Sequence, residues 1–312
     1  MPDDRPILLV LRALDLGDLL VAVPALRALR RARPDHRLVL ATPALLAPLA
    51  MRTGAVDEVL DTPYPGWLRW PGPAPDIAVN LHDGGPQSHR VLDSIGARAR
   101  IGFAASGWPG PPWVDAEEVH ERVRWCAMLA DHGIPADPDD LYLDRPVPEP
   151  GPAPVVVHPG AETGAKRWPV ARFADVVADL HGQGRQVLLT GSADERPLAL
   201  DVARAAGLSL VRVLAGRTTV AELCDLVARA ALVVSGDTGV AHLATALRVP
   251  SVVLFGPVPP ERSGPPAGGS HVVLSDAGAR RGDPLADDPD PALLGVSVPD
   301  VLAAADSLLR RR

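Results

Sequence analysis

One grammar repeats along this chain and limits what it can fold into: a short apolar run, a turn carrying Gly or Asp, then apolar residues at helical spacing. In the first half the runs are residues 7–11, 38–41, 56–60 and 77–81. Residues 7–11 and 38–41 are apolar without alternation, as expected of parallel strands buried on both faces, whereas Asp57 and Glu58 interrupt 56–60 and Asn80 interrupts 77–81. The first run leads to Asp15-Leu16-Gly17-Asp18, after which Leu19, Val23, Leu26 and Leu29 recur at helical spacing through Arg31. Pro24 falls inside that pattern and predicts a kink or a first helical turn. The fourth run leads into the loop His82-Asp83-Gly84-Gly85-Pro86. The second half predicts strands at 155–157, 187–190, 232–235 and 251–255, and helices at 173–181, 222–230 and 240–247. Strands alternating with helices imply α/β architecture, with parallel sheets covered on both faces.

Between the halves lies Pro-Val-Pro-Glu-Pro-Gly-Pro-Ala-Pro, residues 146–154, which has almost no helix or ladder capacity and reads as a semi-rigid linker. The expected organisation is therefore a first Rossmann-like domain over 1–145, this linker, a second over 155–298, and a closing helix within 299–312. Residues 259–290 are rich in Pro, Gly and Asp and predict mostly loop. A length of 312 residues suits two domains. Two such halves imply a central cleft faced by the carboxyl ends of both sheets, where ligands of open parallel sheets sit.

The net charge of −7 argues against a nucleic-acid partner. Cys126 and Cys224 fall in different halves and outside any CxxC pair, which predicts thiols in a reducing compartment. No basic stretch precedes a long apolar run at the N-terminus, and no segment reaches the roughly 18 apolar residues of a membrane span. The expected location is the cytoplasm. Composition singles out one residue: of 31 basic side chains all but Lys166 are arginine. Where Arg serves equally well, drift of this kind removes Lys. The surviving lysine is therefore a candidate for a function that a guanidinium does not perform.

Each candidate residue follows a strand. Asp18 can be a helix cap, or a general base taking a proton from an acceptor hydroxyl. The loop His158-Pro159-Gly160-Ala161-Glu162-Thr163-Gly164-Ala165-Lys166-Arg167-Trp168-Pro169 combines glycines, the Thr163 hydroxyl and adjacent cations, which suits a phosphate. Its spacing is not that of a P-loop. In Ser235-Gly236-Asp237-Thr238-Gly239-Val240-Ala241-His242, the amides of Thr238 and Gly239 at a helix start form an anion site. Asp237 there is expected to bond sugar hydroxyls. Capping explains Asp237 and Thr238 as well, and His242 reads equally as a buried structural histidine. In Gly191-Ser192-Ala193-Asp194-Glu195, Glu195 is either a ribose-binding acid or a first-turn helix acid. Arg27, Arg30, Arg31, Arg33 and Arg37 form a solvated face or a contact for an anionic acceptor or membrane surface. No cluster has metal-ligand spacing, and no GxGxxG follows a strand.

Taken together, Arg12-x5-Asp18 with Leu16-Gly17-Asp18, the HPGAETGAKRWP loop, LTGSADE and SGDTGVAHLATALRVPSVVLFGP resemble glycosyltransferase family 9, the ADP-heptose heptosyltransferases. Order and spacing agree over residues 7–257. The resemblance implies the GT-B fold, two Rossmann-like domains facing a cleft, the first binding the acceptor and the second the nucleotide sugar. It implies metal-independent, inverting transfer of a heptose or related sugar, with an ADP-sugar as co-substrate and no cofactor. The acceptor is a glycan, a lipid-linked molecule or a small molecule, and contact with a membrane surface is compatible with it. Asp18 then matches the catalytic base and Lys166 the lysine at the donor diphosphate. Gly17, Thr163, Gly191, Ser192 and His242 join the donor-binding set. Thr238 and Gly239 match the phosphate-binding turn, Asp237 the residue near the donor sugar, Glu195 the ribose acid, and Gly216, Arg217 and Thr218 the adenine segment. The stretch 282–289 departs from the family pattern. Two other readings remain open: a sugar-nucleotide epimerase and a catalytically silent sugar-nucleotide-binding protein.

Overall fold

The computed structural model describes residues 4–105, 107–114, 119–145 and 151–310, which form two compact units, Met1–Leu143 and Asp144–Arg312. The N-terminal unit runs β1 (Ile7–Leu11), α1 (Leu16–Val21), α2 (Val23–Ala32), β2 (Arg37–Thr42), α3 (Ala47–Arg52), β3 (Glu58–Asp61), β4 (Ile77–Asn80), α4 (Gln87–Asp93), β5 (Ala99–Ile101) and α5 (Glu121–Asp131). The C-terminal unit runs β6 (Val155–His158), α6 (Val170–Gly182), β7 (Val187–Leu189), α7 (Arg196–Ala205), α8 (Val220–Arg229), β8 (Leu232–Gly236), α9 (Gly239–Ala246), β9 (Ser251–Leu254), α10 (Pro260–Ser263), β10 (His271–Leu274), α11 (Pro291–Leu294) and α12 (Val298–Arg310).

Both sheets are wholly parallel, as the unalternated runs require. Leu8 through Leu11 and Val155 through Val157 are completely buried. The N-terminal order β3-β2-β1-β4-β5 is that of a Rossmann half, and the C-terminal order β7-β6-β8-β9-β10 is the flavodoxin-like one. The strand order reverses between β1 and β4 in one sheet and between β6 and β8 in the other. Connections leave such a pair to opposite sides, so the crevice outside its carboxyl ends is where ligands bind.

Several local expectations are corrected. The first helix is two: α1 ends at Ala22, and Pro24 sits in the first turn of α2, where its missing N–H costs nothing. The stretch 259–290 is mostly loop, as expected, but not along its whole length. It holds α10 and the edge strand β10, which pairs with β9 from His271 opposite Ser251 to Leu274 opposite Leu254. The arginine cluster is not a free cationic face. Arg27 and Arg31 both bind Asp140, Arg30 binds Asp57 and the Ala55 and His36 carbonyls, Arg37 pairs with Glu58, and Arg33 bonds the Ala32 carbonyl. Of the linker, residues 146–150 lie outside the described residues. Pro154 already belongs to the C-terminal unit, its carbonyl accepting from Ala231 N–H at 2.7 Å.

Candidate donor and acceptor sites

In the C-terminal unit the loops after β6 and β8 meet at the switch point. The Lys-Arg-Trp-Pro run divides its labour. Trp168 is buried, edge-on to Phe173 and donating to the Val296 carbonyl, and Pro169 caps α6. Arg167 Nε turns back to the Ala161 carbonyl at 3.0 Å. Lys166, half-buried, reaches to the end of β8 instead. Its Nζ lies 3.4 Å from Oδ2 of Asp237, whose side chain is only 8% exposed. The other oxygen of Asp237 accepts from Ser263 Oγ at 3.3 Å and lies 3.9 Å from Nε2 of His242. Gly236 makes this convergence feasible, because a Cβ there would press to 3.2 Å on the Lys166 carbonyl.

Thr238 caps α9 with extended backbone, and Gly239 is the first helical residue. The Thr238 carbonyl accepts from the amides of Ala241 and His242, while the first amides of any helix have no intrahelical acceptor. The hydroxyls of Ser235 and Thr238 are buried and have no hydrogen-bond partner among the described residues. A cation, a helix N-terminus and two unsatisfied hydroxyls thus gather at one strand end, an environment that suits an oxyanion.

Beside it, the end of β7 carries the second cluster. Gly216 N–H donates to the Gly191 carbonyl, and Leu214 N–H to that of Leu189, so residues 191–195 and 214–217 run together. Gly216 has φ +68°, and a Cβ there would come to 2.9 Å from the Ala193 backbone. Arg217 is exposed and Thr218 half-exposed on this ridge. Glu195 is folded inward: its Oε2 accepts from Ser192 N–H at 2.7 Å and lies 3.7 Å from Nε2 of His158. His158 Nδ1 is 3.1 Å from the Thr190 hydroxyl. Burial holds the His158 pKa below its ordinary value despite the opposing charge of Glu195. Gly160 leaves room for the Glu195 carboxylate, which any Cβ would strike.

Thr163 stands apart from these groups. Its hydroxyl donates to the Pro284 carbonyl at 2.7 Å. The stretch that departs from the family pattern lies against this loop. Ala165 N–H donates to the Ala286 carbonyl, Asp290 N–H to that of Ala165, and Gly164 packs so tightly on the Asp287 carbonyl that a Cβ would lie 1.6 Å from it.

In the N-terminal unit, Asp18 and Gly17 lie in the first turn of α1. The cap is Asp15, and Asp18 closes the turn by accepting from Asp15 N–H at 3.3 Å. Its Oδ1 also meets Arg12 Nη2 at 3.3 Å. His82, after β4, is half-buried, its Nδ1 has no partner among the described residues, and burial lowers its pKa against the pull of Asp83. Glu121 and Ser263 were not singled out by their positions in the sequence, because nothing local marks their partners, and Arg12 and His82 stood there only in a motif and a loop, without a role. Among the described residues no group of three His, Cys, Asp or Glu side chains is arranged to hold a metal ion. None of the described helices is long and apolar enough to cross a membrane.

Comparison with known proteins agrees with this layout. Residues 143–281 match glycosyltransferase family 9 (heptosyltransferase). Over that stretch the chain is similar to glycosyltransferase family 9. It is 25% identical to lipopolysaccharide heptosyltransferase 2 of Escherichia coli K12, over 94% of this chain and 96% of that protein. It is 35% identical to lipooligosaccharide heptosyltransferase 2 of Haemophilus influenzae, over 40% of this chain and 38% of that relative. The solved structure of E. coli ADP-heptose lps heptosyltransferase II superposes with a TM-score of 0.79 at 23% identity, covering 98% of this chain and 99% of that one. The fold is therefore GT-B. An iron-containing dodecameric glycosyltransferase, TibC of enterotoxigenic E. coli, shares the fold with a TM-score of 0.66 at 18% identity, over 99% of this chain and 77% of that one.

Proposed function

We propose that this chain is a family 9 glycosyltransferase that transfers a heptose or related sugar from an ADP-sugar to an acceptor hydroxyl, with inversion and without a metal ion. The observation that carries the reading is the convergence of Lys166, Asp237, the unsatisfied Ser235 and Thr238 hydroxyls and the start of α9 at the β6/β8 switch point. In this reading the donor diphosphate lies at Lys166 and the Thr238 and Gly239 amides, and the donor sugar bonds Asp237, with His242 beside it. The ribose bonds Glu195 near Gly191 and Ser192, and the adenine lies along Gly216, Arg217 and Thr218. Asp18 takes the acceptor proton, the acceptor oxygen attacks the anomeric carbon, and the bond from that carbon to the diphosphate oxygen breaks. Charge then collects on the departing ADP, where fixed donors stabilise it most effectively. A lysine with helix-terminus amides supplies that charge without a metal. We place the reaction in the cytoplasm, where nucleotide sugars are substrates.

The test is incubation with ADP-heptose, with and without a cell-extract acceptor pool, in the presence of EDTA. The expected result is acceptor-dependent ADP release that survives chelation. Loss of turnover restored by a divalent cation overturns the metal-independent reading. A donor isomer formed without acceptor indicates an epimerase, and an intact donor indicates a binding protein.

A further inference from the structure

Arg12 is 1% exposed, and all three of its guanidinium nitrogens are engaged. Its Nε donates to the Asp18 carbonyl at 3.0 Å and its Nη1 to the Leu81 carbonyl at 2.6 Å. Nη2 is shared by two carboxylates, Asp18 at 3.3 Å and Glu121 at 2.5 Å. The guanidinium lies 5.2 Å from the ring centre of Trp125, whose Nε1 donates to the same Glu121 oxygen at 3.1 Å. One cation thus ties the ends of β1 and β4 to the start of α5, at the switch point of this sheet.

A brace alone needs only one carboxylate to balance the arginine. Here there are two, unequally placed. Glu121 takes the short contact, while Asp18 takes a longer one and keeps 35% of its side chain exposed. We propose that Arg12 and Glu121 are positioning residues for Asp18: Arg12 fixes the carboxylate, and Glu121 neutralises Arg12 so that Asp18 keeps its basicity. The proposal rests on the reading of Asp18 as the base. Burial pushes the Glu121 carboxyl up, but the charge and hydrogen bond of Arg12, the Trp125 N–H and the charge of Arg124 outweigh it and hold the pKa below the usual range. Glu121 is therefore held in its ionised form beside Arg12. His82, which Asp83 faces at 4.0 Å, also feels the charge of Asp18, and Asp15 lies in the same turn as Asp18.

The two positions make opposite predictions. In Glu121→Gln the Gln oxygen still accepts from Arg12 and Trp125, but the full guanidinium charge falls on Asp18. An arginine beside an aspartate lowers its pKa by roughly one to three units. The acid limb of the pH profile should move down by about half a unit or more, with turnover reduced roughly three- to tenfold as the base weakens. In Arg12→Met the limb should move up and turnover fall further. Arg12→Lys keeps the charge and loses the fork, so turnover should fall with the limb in place.

The probe is ADP release from ADP-heptose with water as acceptor, quantified by chromatography across the acid limb, with melting temperature and ADP affinity measured alongside. Asp18→Asn is the control. If it is inactive and the Glu121→Gln limb stays at its wild-type pH, the base reading stands and this proposal falls. If Asp18→Asn keeps turnover, both fall. Opposite limb shifts in Glu121→Gln and Arg12→Met, at unchanged ADP affinity, bear the proposal out.

Discussion

Replacing Lys166 by Met should separate what the Lys166–Asp237 pair does for stability from what it does for the donor. At 3.4 Å the gross attraction is about 5 kcal/mol in an effective dielectric of roughly 20. Desolvation of both groups cancels most of it. Truncating one partner of a fully buried pair costs about 3–5 kcal/mol, and of an exposed pair about 0–1. Lys166 is 22% exposed and Asp237 8%, so the expected cost lies between, about 2 kcal/mol. For a unit of this size that is a fall in Tm of roughly 4–8 °C. Asp237→Asn alone should cost less, since Ser263 and His242 remain beside it. The double variant Lys166→Met/Asp237→Asn should recover more than half of the lost stability, because no buried charge is left alone. ADP affinity should not recover with it. The assay is a double-mutant cycle by thermal unfolding, with ADP titration on all four proteins. A coupling below about 0.5 kcal/mol would refute the ion pair. Recovery of ADP affinity in the double variant would refute the assignment of Lys166 to the diphosphate.

Asp18→Asn should keep ADP affinity and lose roughly 10²–10⁴-fold in turnover, the usual worth of a general base, whereas normal turnover leaves Asp18 as a first-turn acid only. Lys166→Arg should lose more turnover than donor affinity, since a wide planar fork replaces a compact charge, and full activity in that variant removes the lysine from the donor site. Gly164→Ala should lower both Tm and ADP affinity, because its Cβ would meet the Asp287 carbonyl and part residues 284–290 from the lysine loop; an unchanged Tm refutes that contact. Stability should fall as pH drops below about 6.5: burial lowers the pKa of His158, His89 and His271 from that value, so the unfolded chain takes up protons the folded one refuses. His158→Gln should flatten the Tm profile between roughly pH 7.5 and 5.5, and a Tm that holds steady or rises over that range contradicts it.

How much of this was legible without coordinates follows from the range of each signal. β1 and β6 were readable because strands buried on both faces must be apolar throughout. Lys166 was readable because composition isolates it. β10 was hidden because His271–Leu274 is a short, half-buried edge strand set among Pro and Gly. Glu121 lies 109 residues from Arg12, and no periodicity links them. The same holds for Thr163 and Pro284, which meet across 121 residues. The cap at α1 was misplaced by three residues because Asp15 and Asp18 both suit a helix start, and only the turn geometry tells them apart.

The arginine bias acquires a structural meaning at this point. Arg12, Arg27 and Arg30 each donate in two or three directions at once, to carbonyls as well as carboxylates. A rigid fork does this, and an ammonium on a flexible stem does it poorly. Lys166 is the opposite case. Among the described residues its Nζ has one hydrogen-bond partner, an oxygen of Asp237, so two of its three donors are uncommitted. Its neighbours in the loop, Arg167 and Trp168, bond backbone carbonyls instead. An arginine there would reach further and demand in-plane acceptors that Asp237 alone does not offer. The lysine has survived where the protein leaves most of its hydrogen-bonding capacity unused, and a charged ligand is the simplest thing to use it.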